Sequence, residues 1–508
     1  MEEITVISED IIQTAFKKVA KGGAFILASQ ILAMFFGFLR QFAVIRLLPP
    51  NDYGLFSLGM TVMGVCIILS GLGLPAGAQR YIGFFMGKED ELSARGVIIS
   101  TIRILSISAA SFTISILVSA RPLAILFKKP EMTSVILKLA PLITLSLCID
   151  IISSFYMGFH RVEVNVFFRN IGLYLVSLIS VVLGLILRRD LSSVLWAVVL
   201  SYLLIAFFEL LYSSRKFPIP LRCKSTSRMG KEILFFSLPL FGVSALNYLI
   251  LQTDTLMLGH FSAAETVGLY NAAFQLLQIL AVFLTSASFI FMPVASGLVA
   301  TSNNMELKQL YRSTTKWLFI FTLPLFLVLF LFPSDILRLV FGGIYPRAAL
   351  ALKLLCLGEF VNTFLGPNDS TLLAYGRSKV LMVTAALSAV MNIFLNALFI
   401  PRWGMNGAAI ASFVSLALKN ILNSGYLYLR YKIHPFDSKY LKPVLLLILF
   451  SSILYFPLSY LLRFSEWFLL TYYPLFLAIG IASVLLSKSV EPLDHVLIKL
   501  IKRTKMPQ

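Results

Sequence analysis

Long apolar stretches alternate with short polar connections along almost the whole chain, a pattern typical of a protein that crosses a lipid bilayer many times. About 20 consecutive apolar residues suffice for a helix to cross the hydrocarbon core. The pattern predicts an all-α polytopic membrane protein with about fourteen transmembrane helices, called spans 1 to 14 here. Their predicted bounds are 23–47, 54–75, 96–118, 134–158, 167–187, 194–213, 233–260, 268–294, 316–333, 348–374, 378–400, 405–429, 444–462 and 468–487.

Two stretches share one layout and indicate an internal repeat. Residues 36–59 read FGFLRQFAVIRLLPPNDYGLFSLG, and residues 251–273 read LQTDTLMLGHFSAAETVGLYNAA. At a constant offset Gly54 corresponds to Gly268, and further matches continue through spans 1–6 and 7–12. Because each repeat has an even number of spans, both should enter the membrane from the same side, as two parallel six-helix bundles.

The longest and most basic connection follows span 6 and divides the chain between the two bundles. Spans 13 and 14 fall outside the repeat and form an appendage. The predicted organisation is a cytoplasmic amphipathic N-terminus at 1–22, an N-lobe at 23–213, a basic cytoplasmic linker at 214–232, a C-lobe at 233–430, the appendage at 431–487, and a cytoplasmic basic amphipathic tail at 488–508.

Composition and charge agree with this class. Hydrophobic residues make up 58% of the 508 residues and charged residues only 13%, far from the balance of soluble domains. The formal net charge is +19, but Lys and Arg concentrate in one alternate set of connections. The positive-inside rule therefore places both termini in the cytoplasm and explains most of the charge without nucleic acid.

Motifs for catalysis or metal binding are missing from the sequence. The four cysteines and four histidines are scattered, which indicates neither a disulfide framework nor a metal site. Neither a P-loop nor a nucleophile elbow is present, and no connection is long enough for a catalytic domain. We expect a transporter of the cytoplasmic membrane without a cofactor, not an enzyme.

The repeat aligns two opposite charges inside membrane spans, Arg40 in span 1 and Asp254 in span 7. A charge at the centre of a membrane helix costs about 2.5–3.5 kcal/mol even on the lenient insertion scale, so it persists beside a partner or a wet cavity. We hypothesise that Arg40 and Asp254 face each other across a central cleft and pair when the cleft is empty.

Other polar residues within the spans are candidates for lining that cleft. The lysines at the repeat-related positions 138 and 353 suit a cavity wall or a structural ion pair, and polar helix stripes suit either the cavity or interhelical hydrogen bonds. Arg169, near the start of span 5, is expected to reach the interface instead. Pro367 should break span 10. The further substrate-binding candidates are Lys138, Lys353, Asn271, Gln275 and Glu359.

At this point three segments carry a family resemblance. They are RLLPPNDYGLFSL at 46–58, DTLMLGHFSAAETVGLYNAA at 254–273, and the run from LLAYGRSK at 372 through IPRWGMNGAAIAS ending at 412. In order and spacing the chain resembles the polysaccharide flippases of the multidrug, oligosaccharidyl-lipid and polysaccharide exporter superfamily, also called O-antigen or Wzx-type flippases.

The resemblance implies two bundles around a cleft that opens alternately to either side. The implied substrate is an oligosaccharide on a polyprenyl phosphate or pyrophosphate, moved with a coupling Na⁺ or H⁺ and alongside glycan polymerases or glycosyltransferases. The related lipid II flippases carry an arginine followed by an aspartate in their first helix. GFLRQ at 37–41 keeps Arg40 but has Gln41 at the acid, so Asp254 becomes the candidate cation or proton site.

Three alternatives remain open at the level of the sequence. A cation-coupled multidrug exporter of the same superfamily would need an acidic and aromatic lining, and Arg40 argues against it. A non-transporting scaffold for glycan-assembly enzymes would tolerate loss of the charges in the cleft. An integral membrane transferase would need a catalytic loop, which the sequence lacks.

Overall fold

The computed structural model describes residues 28–216, residues 227–436 and a few single positions up to residue 478. Every regular element in the two long ranges is a helix. The predicted N-terminal segment 1–22 and the tail 488–508 lie outside the described residues, as do spans 13 and 14 apart from those single positions. By contacts between Cα atoms the chain forms two compact units, Met1–Gly268 and Leu269–Gln508.

The first unit is built from ten α-helices and one π-helical turn among its described residues. They are α1 (Ala28–Leu47), α2 (Pro50–Gly71), α3 (Leu74–Met86), α4 (Glu91–Leu126), α5 (Met132–Leu139), α6 (Pro141–Gly158), α7 (Val162–Asn165), the π turn (Val166–Gly172), α8 (Leu173–Leu187), α9 (Leu191–Lys216) and α10 (Ser227–Phe261).

The second unit contains most of α11 and the helices that follow it. They are α11 (Ala264–Ala300), α12 (Asn304–Leu331), α13 (Pro333–Phe341), a short 3-10 turn (Tyr345–Ala348), α14 (Ala349–Phe364), α15 (Asn368–Ala374) and α16 (Ser378–Tyr431). Helix α14 packs against both α12 and α16, and α15 packs against α16.

Eleven helical stretches in the described residues are long and apolar enough to cross a membrane. They correspond to predicted spans 1 to 12, because spans 11 and 12 are joined into the single helix α16. Gly404 interrupts that helix with φ 54° and ψ −129°, at the boundary that the sequence predicts between the two spans. The total of fourteen spans stays a prediction.

Several spans are broken, each for a local reason. Helix α2 ends at Gly71, and Leu72 and Gly73 both adopt left-handed backbone angles before α3 begins. The sequence prediction missed this break and the extension of the span to Met86. The predicted break at Pro367 is confirmed, because α14 ends three residues before it and α15 begins immediately after it.

Helix α10 packs against α2 and α3 along a row of glycines. A Cβ on Gly73 would lie 2.4 Å from the Ser237 carbonyl oxygen, and one on Gly77 would lie 2.1 Å from the Ser237 hydroxyl. Further along, a Cβ on Gly64 would meet the Tyr248 hydroxyl at 1.8 Å. The missing side chains therefore allow close approach of the helices, as small residues do in membrane bundles.

The two glycines that the repeat makes equivalent lie against each other. A Cβ on Gly54 would be 1.8 Å from the Ala264 carbonyl oxygen, and one on Gly268 would be 2.2 Å from the Pro50 carbonyl oxygen. The starts of α2 and α11 thus cross with their backbones in contact. Neither position has room for a side chain.

A buried lysine ties the end of α10 to the turn between α4 and α5. The Lys129 side chain is only 6% exposed, and its ammonium donates to the carbonyl oxygens of Phe127 at 3.0 Å, Ser262 at 2.8 Å and Gly259. Burial lowers the pKa of Lys129. The three carbonyls match its three N–H donors, and they lie where helix ends leave carbonyls unpaired.

Because α10 packs within the first unit, the observed division falls after it rather than in the basic connection. The predicted boundaries of the N-lobe and C-lobe stay a prediction, since the units reflect contacts and the lobes reflect sequence repeats.

Candidate functional site

Arg40 lies inside α1 and faces a polar region of the first unit. Its Nη1 donates to the Ser177 hydroxyl of α8 at 3.0 Å, while its buried Nε has no hydrogen-bond partner in the described structure. The next residue, Gln41, donates to the Tyr53 hydroxyl of α2 at 2.7 Å. Arg40 thus has a neutral partner and an unused donor.

Asp254 lies in α10 and is 5% exposed. The hypothesised ion pair with Arg40 is not formed in this structure, because the guanidinium turns towards α8. Two residues before Asp254, Gln252 accepts a hydrogen bond from the Thr61 hydroxyl of α2 at 3.2 Å. Arg40 and Asp254 belong to the same unit.

Lys138 lies in the last turn of α5, where its ammonium donates to the Ser192 hydroxyl at the start of α9. The nearby Asp190 accepts from the Ser193 backbone N–H at 3.0 Å. Hydrogen bonding from the Ser193 side chain and from its backbone N–H lowers the pKa of Asp190, and the charges of Arg188 and Lys138 add to the effect. Lys138 bonds Ser192, which follows the Leu187 end of α8. Ser177, the partner of Arg40, lies about 15 Å along α8 from that end. Lys138 therefore lies near the helix ends and not beside Arg40.

The remaining predicted residues lie in the second unit and are not gathered into one cluster. The Lys353 ammonium lies 5.7 Å from the Phe330 ring centre. Asn271 and Gln275 are half-buried on α11. Glu359 is 6% exposed and accepts from the Asn362 amide at 3.1 Å.

An ion pair inside the first unit was missed by sequence reasoning. Arg169 Nε lies 2.8 Å from Asp150 Oδ1, and the expectation that Arg169 reaches the interface stays a prediction. The π turn that carries Arg169 packs against α6, which carries Asp150. Both charges were visible in spans 4 and 5, but the π turn that orients Arg169 has no signature in the sequence. Ser153, one turn on, donates at 2.9 Å to the fully buried Glu209.

The second unit also holds an intramembrane ion pair. Lys419 of α16 lies 2.6 Å from Asp369 Oδ2, and Asn423 donates to Asp369 Oδ1 at 2.7 Å. Thr384 in turn donates to Asn423 at 2.7 Å. The break after α14 brings Asp369 to this network, as the predicted interruption of the span allows. Both units therefore carry charged groups at membrane depth, the usual mark of substrate or ion pathways.

Taken together, these broken, apolar helices with internal charges are those of a multi-pass membrane transport protein, and comparison with known proteins gives the family. A model described as "Polysaccharide biosynthesis protein" matches residues 19–299, more than half of the chain. The chain belongs to that family. A second model, MatE, matches residues 239–398. The resemblance to the flippases of the exporter superfamily is confirmed.

Curated relatives are similar at low identity. An uncharacterized membrane protein of Methanocaldococcus jannaschii is 24% identical over 424 residues, which cover 78% of this chain and 81% of the relative. The probable low-salt glycan biosynthesis flippase Agl15 of Haloferax volcanii is 22% identical over 174 residues, 34% of this chain and 37% of that protein.

Solved structures give the fold. The lipid II flippase MurJ in an inward closed conformation matches with a TM-score of 0.70 at 16% identity, over 91% of this chain and 97% of that chain. An inward-facing multidrug resistance MATE family transporter matches with a TM-score of 0.68 at 17% identity, over 79% and 94%. The fold is that of the MATE and MurJ membrane proteins.

Proposed function

We propose that this protein is a flippase that moves an oligosaccharide linked to a polyprenyl phosphate or pyrophosphate across the cytoplasmic membrane, for synthesis of a cell-surface glycan. Membership of the polysaccharide biosynthesis family supports the proposal, as does the similarity to the probable glycan biosynthesis flippase of Haloferax. On this reading the chain is a transporter and not an enzyme.

One observation in the structure carries the choice of substrate. Arg40 sits within a membrane span beside a neutral hydroxyl, and among the described residues it is in no ion pair. Arg40 is half-buried, and a cation within a membrane span is costly without a counter-charge. A diphosphate supplies that counter-charge and accepts charge-assisted hydrogen bonds from a guanidinium.

Finer features of the proposal follow from the sequence. Fourteen spans with both termini in the cytoplasm would present the linker and tail to the enzymes that make or polymerise the glycan. We infer alternating access, with Na⁺ or H⁺ as the coupling ion and Asp254, Lys138, Lys353, Asn271, Gln275 and Glu359 as candidates for lining the path.

The test is a reconstitution in liposomes that contain the purified protein. A fluorescent polyprenyl diphosphate carrying an oligosaccharide is placed in both leaflets, and a membrane-impermeant quencher reports its movement. Arg40→Ala should abolish movement, while Arg40→Lys should keep part of it because the charge remains. Arg103→Ala is the matched control, since Arg103 is a span arginine that is exposed on α4.

Each result has a defined meaning. Unchanged movement in folded Arg40→Ala would refute the role of Arg40. Movement of a fluorescent organic cation without movement of the glycolipid would make the protein a multidrug exporter, a reading favoured by the MatE match. If the folded protein moves neither the glycolipid nor the organic cation, the result would favour a non-transporting scaffold for glycan-assembly enzymes.

A further inference from the structure

A half-open cavity in the first unit lies where two breaks in helical geometry meet. Its volume is about 310 Å³, and its wall includes Gly71 and Gly73 at the break between α2 and α3, Asn165 and Arg169 at the π turn, and Phe241 on α10. This volume is at the lower end of the roughly 300–1,000 Å³ of small-molecule sites. None of the functions considered above uses this cavity.

Polar groups from five helical segments enter the cavity without being used elsewhere. The Gln79 amide and the Ser244 hydroxyl make no hydrogen bond within the described ranges, and Asn165 Oδ1 is buried there without a partner. Arg169 pairs with Asp150 through Nε, and its terminal nitrogens make no hydrogen bond within the described ranges. Asp150 Oδ2 is likewise available.

The breaks in the helices hold these groups in place. Leu72 and Gly73 take left-handed backbone angles that turn α3 away from α2 and bring Gln79 to the cavity. The π turn widens the helix between Asn165 and Gly172, so that Arg169 reaches Asp150 on α6. Such turns occur often at functional sites.

The balance of these groups distinguishes between ligands. A metal cation needs acceptors only, but here the Arg169 and Gln79 N–H groups and the Ser244 hydroxyl are donors. A diphosphate needs net positive charge, but Asp150 offsets Arg169. A sugar hydroxyl both donates and accepts, and it suits a cavity with both kinds of group. The Phe241 ring offers a sugar ring an apolar face.

We propose that this cavity is a glycan subsite that binds one neutral sugar ring of the substrate. The proposal rests on the flippase function and adds to it a place where the sugar, and not the diphosphate, is recognised. Gln79, Ser244, Asn165 and the Asp150–Arg169 pair bind the hydroxyls. The subsite favours lipids that carry a sugar over bare lipids.

The test compares two lipids in the liposome assay, a bare polyprenyl diphosphate and the same lipid carrying an N-acetylhexosamine. Gln79→Leu and Ser244→Ala should each slow the sugar-bearing lipid about three- to tenfold, the effect of one lost hydrogen bond, and leave the bare lipid unchanged. Arg40→Ala should slow both lipids. Gln309→Leu, on an exposed residue of α12, is the matched control and should slow neither.

A second measurement does not depend on transport. Ser244→Cys is made in a background whose four native cysteines are replaced by serine, and its reaction with a maleimide is timed in nanodiscs. The sugar-bearing lipid should protect the thiol and the bare lipid should not.

The outcomes separate the two proposals. If wild-type protein moves neither lipid, the flippase function fails with these lipids, and thiol protection alone decides the subsite. The subsite is refuted if Gln79→Leu and Ser244→Ala slow both lipids equally or neither, or if both lipids protect the thiol equally.

Discussion

Replacement of Lys129 by methionine should destabilise the first unit, because its ammonium joins the Phe127 carbonyl of the α4–α5 turn to the Gly259 and Ser262 carbonyls at the end of α10. Methionine keeps most of the volume and removes the ammonium. Hydrogen bonds to charged groups contribute about 1.5–3 kcal/mol each. Burial of the ammonium offsets part of that gain, so we expect a net loss of about 2–4 kcal/mol.

The measurement is thermal unfolding of purified protein in detergent, followed by circular dichroism. Lys129→Met should lower the unfolding temperature by about 2–7 °C, and Lys129→Arg by less, since its donors remain. The adjacent Lys128 is exposed and has a similar chain length, so Lys128→Met is the matched control. Protease should also cut the α10–α11 turn of Lys129→Met faster.

An unfolding temperature for Lys129→Met within about 1 °C of Lys128→Met would refute this reasoning. That result would mean that water replaces the ammonium at the three carbonyls with little loss.

Three further predictions follow from the packing and charges. Gly268→Ala should disrupt the α2–α11 crossing and lower the free energy of unfolding by about 1–3 kcal/mol or more. Gly297→Ala, where the added methyl group meets only open space on α11, should be neutral or stabilising. Equal effects of the two changes on the unfolding temperature would contradict the crossing. Lys419→Met should destabilise the second unit by about 1–3 kcal/mol. The double variant that also carries Asp369→Leu should recover most of this loss. Additive losses in the double variant would show that the two charges do not interact. Asp190 has a lowered pKa in the fold, so its stabilising effect relative to Asp190→Ala should be complete at neutral pH and fade as the pH falls below about 4; a pH-independent difference in unfolding temperature would refute the role of its charge.

Much of the helical layout could be predicted from the sequence because a bilayer imposes length and apolarity on each span. The internal repeat predicted that Gly54 and Gly268 are equivalent positions, and Pro367 predicted the break after α14. The sequence could not predict how far each helix is rotated about its own axis, and therefore which neighbour each side chain faces. Arg40 turns to Ser177 instead of Asp254, and a π turn aims Arg169 at Asp150. Such orientations depend on packing between helices, which hydrophobic periodicity alone does not specify.

The glycine row between α10 and the α2–α3 pair sets where the chain can be divided experimentally. A gene cut in the basic connection at 217–226 would produce a first fragment whose close-approach surface at Gly64, Gly73 and Gly77 is open to lipid. A cut placed in the turn between α10 and α11, at residues 262–263, keeps that surface covered within a single polypeptide. Split versions of this protein for complementation or labelling should therefore be divided after α10, even though the sequence of α10 belongs to the second repeat.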